Sequence, residues 1–328
     1  MQKNVKPLRI AGVGYCVPDT VITNDDLTKL YETSDEWIYT RTGIKERRIV
    51  SGNETAIDLG VKASQNALTK SGFNAEDIDC VIAAASAPPQ LYPALACHIQ
   101  AELGIPNYVP SFDMTAACSG LIYALQVARG LIGTGLYKNI LIVAADNNSR
   151  LVDWKDRGTS ILFGDGAGAA VVSAEGTQLL SMVQGSDGAG GMALKCDNRP
   201  VRNLYRQGAL AQYAFTEMNG SEVYKFAVRT VPKAINEALE KAKITADDVS
   251  LYLLHQANLR IIESVAKRLH QPMDKFPTNL EECGNISAAS VPILLDKVRK
   301  DGMIGKGDKI VLAGFGAGLT WGACVIEW

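Results

Sequence analysis

Short, continuously apolar runs recur along the chain: LRIAGVGYCV (8–17), DCVIAAAS (79–86), NILIVAAD (139–146), AGAAVVSA (167–174), VSLYLLHQ (249–256), KIVLAGFG (309–316) and GACVIEW (322–328). A strand with one wet face alternates apolar and polar residues, so runs that stay apolar at successive positions need cover on both faces. Segments with helical character lie between them, among them TAIDLGVKASQNALTKSG (55–72) and SEVYKFAVRTVPKAINEALEKAK (221–243). An α/β fold with sheets buried on both sides follows.

The pattern also echoes itself. KASQNALTKSGFNAEDIDCVIAAASA (62–87) parallels KAINEALEKAKITADDVSLYLLHQAN (233–258): a helix, a short A-(E/D)-D turn, then an apolar strand. FGDGAGAAVV (163–172) similarly parallels FGAGLTWGACVI (315–326). With 328 residues the chain is long enough for two domains of ordinary size. Duplication divides it into an N-terminal half, 1–176, and a C-terminal half, 177–328. Residues 185–215 fit neither pattern and read as a long excursion within the second half.

A net charge of −2 gives no overall attraction to nucleic acid or to an anionic membrane, and no window is apolar for the length of a membrane span. The start, MQKNVKPLRIAGVGY, lacks the apolar core of a secretion signal. The seven cysteines form no CxxC pair, which suits reduced thiols in a cytoplasm. The three histidines, His98, His255 and His270, fall in no ligand-spaced pattern, so no metal site is expected.

Three residues stand where chemistry is usually placed. Cys118, in MTAACSGLIYAL, follows a strand-like segment and opens a helix, where the positive end of the helix dipole is expected to lower its pKa. His255 follows the apolar run LYLL at the carboxyl end of a strand, where ligands of α/β proteins bind. Asn285, in EECGNISAASVPILL, lies at a tight turn into a helix; its amide donates hydrogen bonds without ionising. Each also has a purely structural reading: a buried filler thiol, a satisfied core histidine, a turn asparagine. Taken together they describe two chemistries. In a hydrolase, histidine activates cysteine and asparagine orients histidine. In a decarboxylating condensation, cysteine carries an acyl group while histidine and asparagine donate to a thioester oxygen where enolate charge develops. GFGAGLTWG (314–322) adds a Gly-rich turn with backbone donors, whereas GDGAG (164–168) leads into a strand and makes a poor nucleotide fingerprint.

TSDEWIYTRTGIKERRI (33–49), AACSG (116–120), DRGTSILFGDGAGAAV (156–171), HQANLRII (255–262), GNISAASVP (284–292) and FGAGLTWG (315–322) together resemble the signatures, in order, of β-ketoacyl-acyl-carrier-protein synthase III. The resemblance implies a thiolase-like homodimer whose duplicated βα halves form a five-layered α-β-α-β-α core. It implies a ping-pong condensation of an acyl-CoA primer with malonyl-acyl carrier protein, initiating fatty-acid synthesis without a resident cofactor. The triad would be Cys118, His255 and Asn285, with the oxyanion held by the backbone N–H groups of Cys118 and Ala317. Coenzyme A would bind at Trp37, Arg41, Arg157 and Asn258. Tyr92 would gate the acyl pocket of the partner subunit, and Arg260, Lys267 and Arg268 would dock the carrier protein. Ala317 stands where the family commonly has glycine, Tyr92 where phenylalanine is usual, and Ser221 where its tunnel motif has asparagine. These departures bear on the primer. A starter-loading or acyltransferring synthase of a secondary pathway is the nearest alternative.

Overall fold

The computed structural model describes residues 8–176, 178–198 and 214–328. Its nine principal strands are β1 (Arg9–Cys16), β2 (Cys80–Ala84), β3 (Ser111–Met114), β4 (Asn139–Asn147), β5 (Asp165–Ser173), β6 (Leu179–Ser186), β7 (Leu251–Leu254), β8 (Lys309–Gly316) and β9 (Thr320–Glu327). Its principal helices are α1 (Asp35–Thr42), α2 (Ala56–Ser71), α3 (Leu95–Glu102), α4 (Gly120–Gly133), α5 (Gly220–Ala242), α6 (Leu259–Arg268) and α7 (Ser290–Lys300).

The strands form two sheets with one plan. The first has the order β1-β5-β4-β2-β3 and the second β6-β9-β8-β7. In both, the first three strands run antiparallel to their neighbours and the next pair is parallel. The first sheet adds β3, parallel to β2, at its edge. The first sheet draws on residues 9–173 and the second on residues 179–327. The repeated turns match as well: Asn74 N–H donates to the Asp77 carboxylate at 2.8 Å, and Thr245 N–H to that of Asp248 at 2.7 Å.

Period-two side chains build the layers. On β4, Ile140 and Ile142 face a core shared with α4, α7 and the second sheet, while Leu141, Val143 and Ala145 face α2 and α3. Helices α5 and α6 cover the far face of the second sheet, where Phe226, Ile235, Ile261 and Val265 pack on Val311 and Val325. The resulting order is helix, sheet, helix, sheet, helix, the thiolase-like five-layered core. Among the described residues no helix is long and apolar enough to cross a membrane.

Strand β6 is absent from the apolar runs of the sequence, because LLSMVQGS places polar residues within it. The excursion 185–215 therefore begins inside this strand. It continues through a 3-10 turn, Gly188–Ala193, and a two-residue strand, Leu194–Lys195, paired with Glu217–Met218. Residues 199–213 of it lie outside the described residues.

Candidate active site

The two central helices start alike. A 3-10 turn, Ala117–Ser119, leads into α4, and another, Ser287–Ala289, leads into α7. Each turn opens on a non-glycine residue with positive φ, Ala117 at +45° and Ser287 at +47°. Such backbone costs free energy and is held by its surroundings. The turns meet face to face, and a methyl group built on Gly120 would stand 3.1 Å from the Cβ atoms of both Ala288 and Ala84.

Cys118 lies in the first turn, and β8 passes directly against it. A Cβ on Gly316 would stand 2.8 Å from Cys118 Cβ and 3.1 Å from its Sγ, and one on Gly314 would stand 2.9 Å from Ser119 Cα. These glycines let the strand and the thiol come together. The thiol is buried, and burial pushes its pKa up to about 12, opposed by the neighbouring Ser287 hydroxyl. The pKa lowering expected from the helix start is therefore outweighed by desolvation.

His255 follows β7 and is buried, its ring edge-on to Phe315 at 5.2 Å. Ser290 Oγ lies between His255 Nδ1, at 2.9 Å, and the Ser287 carbonyl oxygen, at 2.6 Å. Burial pushes the imidazole down to about 3, so the ring is neutral at neutral pH. Asn285 is fixed by its backbone: its N–H donates to the Leu162 carbonyl (2.8 Å) and its carbonyl accepts from Gly164 N–H (3.0 Å). Its Oδ1 accepts the Ser287 N–H at 2.9 Å, which leaves Nδ2 to donate elsewhere.

Ser287 thus neighbours all three sequence-selected residues: Cys118 through its hydroxyl, His255 through its carbonyl and Asn285 through its N–H. Sequence reasoning missed it. The available signal was the match between two runs of small residues, AACSG and SAAS, each opening a central helix.

Beside α1, the guanidinium carbons of Arg41 and Arg157 stand over the Trp37 ring, 4.2 and 4.4 Å from its centroid. Arg157 also donates to the Glu32 carbonyl at 3.1 Å. Asn258, expected to contact coenzyme A, is occupied at both ends of its amide. Oδ1 caps α6 by accepting Arg260 N–H (2.9 Å), and Nδ2 donates to the Arg41 carbonyl (3.0 Å). In this structure it docks α6 on α1. Arg260 is exposed and donates through Nε to the Thr40 carbonyl at 3.0 Å; Lys267 and Arg268 are exposed further along α6. Tyr92 is 85% exposed, away from its own chain's core, in a region where Leu91, Tyr108 and Phe112 are also exposed. Ser221 lies in the first turn of α5.

Two family models match the chain: 3-oxoacyl-[acyl-carrier-protein] synthase III over residues 112–195, and the C-terminal part of the same enzyme over 239–328. The beta-ketoacyl-[acyl-carrier-protein] synthase III of Clostridium novyi is 44% identical over 322 residues, covering 98% of this chain and 99% of the relative. The chain belongs to the beta-ketoacyl-[acyl-carrier-protein] synthase III family. The crystal structure of the Aquifex aeolicus synthase III has a TM-score of 0.90 at 40% identity, covering 98% of this chain and 100% of that one. A priming β-ketosynthase from the R1128 polyketide pathway has a TM-score of 0.92 at 35% identity, covering 98% and 96%. As a member of the synthase III family the protein is an acyltransferase that catalyses the condensation initiating fatty-acid synthesis.

Proposed function

We propose that the condensation runs in two half-reactions through an acyl-Cys118 intermediate. The observation that carries this reading is the convergence of Cys118, His255 and Asn285 on one residue, Ser287. An acyl-CoA primer acylates Cys118, coenzyme A leaves, and malonyl-acyl carrier protein enters. Neutral His255 and the Asn285 Nδ2 donate to the malonyl thioester oxygen, stabilising the enolate left by loss of CO2. At rest the Ser290 hydroxyl donates to the Ser287 carbonyl and accepts from Nδ1–H; when it turns its proton to Nδ1 instead, the ring proton resides on Nε2 and is available for this bond. The enolate attacks the acyl-Cys118 carbonyl, and the backbone N–H groups of Cys118 and Ala317 hold the oxyanion. One such donor is worth about 3 kcal/mol in the transition state. The chemistry described uses only protein groups, with acyl-CoA as substrate and no resident cofactor or metal.

The Trp37 face with Arg41 and Arg157 suits an adenine ring and its phosphates, the base taking the place of one guanidinium in the stack. Exposed Arg260, Lys267 and Arg268 suit an acidic carrier protein. The edge strand β3 and the exposed Leu91, Tyr92, Tyr108 and Phe112 suit a homodimer, in which Tyr92 reaches the partner's acyl pocket. A cytoplasmic location fits these substrates. The likeness to a priming β-ketosynthase supports a second reading, starter loading in a secondary pathway.

The test supplies acetyl-CoA and malonyl-acyl carrier protein and measures CO2 and acetoacetyl-acyl carrier protein. Cys118→Ser is expected to abolish the acyl-enzyme. His255→Ala is expected to retain it and to lose roughly 100-fold or more in decarboxylation, as for loss of an oxyanion donor. Hydrolysis without condensation points to the hydrolase chemistry, acylation without CO2 to an acyltransferase, and full condensation by His255→Ala removes the role given to that residue.

A further inference from the structure

Asp146 stands near the carboxyl end of β4 and is fully buried. Its Oδ1 accepts two backbone N–H groups, from Ser86 at 2.6 Å and Ala87 at 2.7 Å. Its Oδ2 is equally buried and has no well-aligned partner. An orphaned carboxylate oxygen in a protein interior is costly. Strand alternation shows where it faces. Ala144, two residues earlier on the same side of β4, packs on Ile286, Ala288 and Ala289, so Asp146 is turned toward the Ser287–Ala289 turn. The Ser287 hydroxyl, a free rotor, is in interaction range of the Asp146 carboxyl and of the Cys118 thiol alike. The other charged group acting on Asp146 is Asp165 on β5, which is itself satisfied by Ser149 N–H (2.8 Å), Ser149 Oγ (2.6 Å) and Val50 N–H (2.9 Å).

We propose that Asp146, acting through Ser287, accepts the thiol proton of Cys118 when the acyl group arrives and returns it when the condensed product leaves. This deepens the acyl-Cys118 reading and rests on it. In the first half-reaction the S–H bond breaks, the proton passes by way of the Ser287 hydroxyl to Asp146 Oδ2, and Sγ bonds to the acyl carbon. The carbon–sulfur bond to coenzyme A breaks, and the leaving thiolate takes a proton from water. In the second half-reaction the enolate carbon displaces Sγ, and the thiolate recovers its proton from the Asp146 carboxyl by the same route. Two buried acids sharing one proton give a physical basis: a negative Asp146 opposes a thiolate at Cys118, so the charge moves from one to the other and is never carried by both. Burial raises both groups, which keeps the exchange within the pair.

Two nearly isosteric variants test this, with two readouts. Asp146→Asn keeps an acceptor for the Ser86 and Ala87 N–H groups but cannot take a proton. Ser287→Ala cuts the relay. Acyl-enzyme formation from acetyl-CoA, followed by intact-protein mass spectrometry, is expected to slow roughly 100-fold in each, the contribution of a positioned base. The pH dependence of Cys118 alkylation by iodoacetamide is expected to move in opposite directions. In Asp146→Asn the apparent pKa falls, because a negative neighbour is gone; in Ser287→Ala it rises, because a donor to sulfur is gone. A merely structural defect shifts neither in this opposed way. Wild-type acylation rates in both variants, or alkylation profiles that coincide with wild type, overturn the proposal. If the wild-type protein itself forms no acyl-enzyme, the underlying Cys118 reading fails instead.

Discussion

Gly316→Ala places a methyl group against the Cys118 thiol, the proposed nucleophile. The new carbon would lie 2.8 Å from Cys118 Cβ and 3.1 Å from both its Sγ and its backbone N. Ordinary carbon contacts are about 3.5–4.0 Å, so something must shift by roughly 0.7–1 Å. Strand β8 resists, being paired with β9 along its whole length, Gly316 against Thr320, and with β7 over Ile310–Ala313. The turn has less to hold it. Ser119 Oγ lies 2.7 Å from the Ala116 carbonyl and 2.8 Å from Thr320 Oγ1, bonds that pivot as Cys118 moves. The displaced atoms are thus the proposed nucleophile and one of the two proposed oxyanion donors. Overpacking of this size costs typically 1–3 kcal/mol of stability, and a displacement near 1 Å costs on the order of 100-fold in rate. Acylation by acetyl-CoA in a quenched-flow experiment, alongside thermal unfolding, measures both. Gly130→Ala is the control: it lies within α4 with nothing within 4 Å of the added methyl, and is expected to stabilise by about 0.5–1 kcal/mol with acylation unchanged. A Gly316→Ala protein that is acylated at the wild-type rate refutes the claim that this strand sets the position of the thiol.

Trp37→Ala removes the face on which Arg41 and Arg157 stack. It is expected to raise the KM for acetyl-CoA about tenfold, within the roughly 1–3 kcal/mol of a base–aromatic stack, and to leave the reaction of a preformed acyl-enzyme with malonyl-acyl carrier protein unchanged. An unaltered KM removes the adenine assignment. His255 gives a pH signature in stability. Its pKa is depressed from 6.5 to about 3 in the fold, so below pH 6.5 the unfolded chain binds a proton that the buried ring does not. Between pH 6.5 and pH 5 this is expected to remove about 2 kcal/mol of stability from the wild type relative to His255→Asn, read from urea unfolding at the two pH values. Parallel losses in the two proteins count against a buried neutral ring.

The amino-acid sequence by itself determined the two-sided burial of the strands, because runs such as NILIVAAD and KIVLAGFG admit no wet face. It also carried the repetition, since a helix, a capped turn and an apolar strand recur with the same chemistry at Asn74–Asp77 and Thr245–Asp248. It marked Cys118, His255 and Asn285, because each follows a strand or turn whose residue types are visible locally. Strand β6 was not legible, since the polar residues of LLSMVQGS hide a strand whose neighbour β9 lies more than a hundred residues away. Nor was the approach of Asp146 to Ser287, which comes from the packing of β4 on the Ser287–Ala289 turn and not from their neighbours in the chain. Only the tertiary structure decided the electrostatics. The helix start predicted an acidic thiol, but the fold removes Cys118 from water, and desolvation depends on the whole enclosing shell. At Asn258 the resemblance implied a coenzyme A contact, and the tertiary structure adds a second role, capping α6 and joining it to α1.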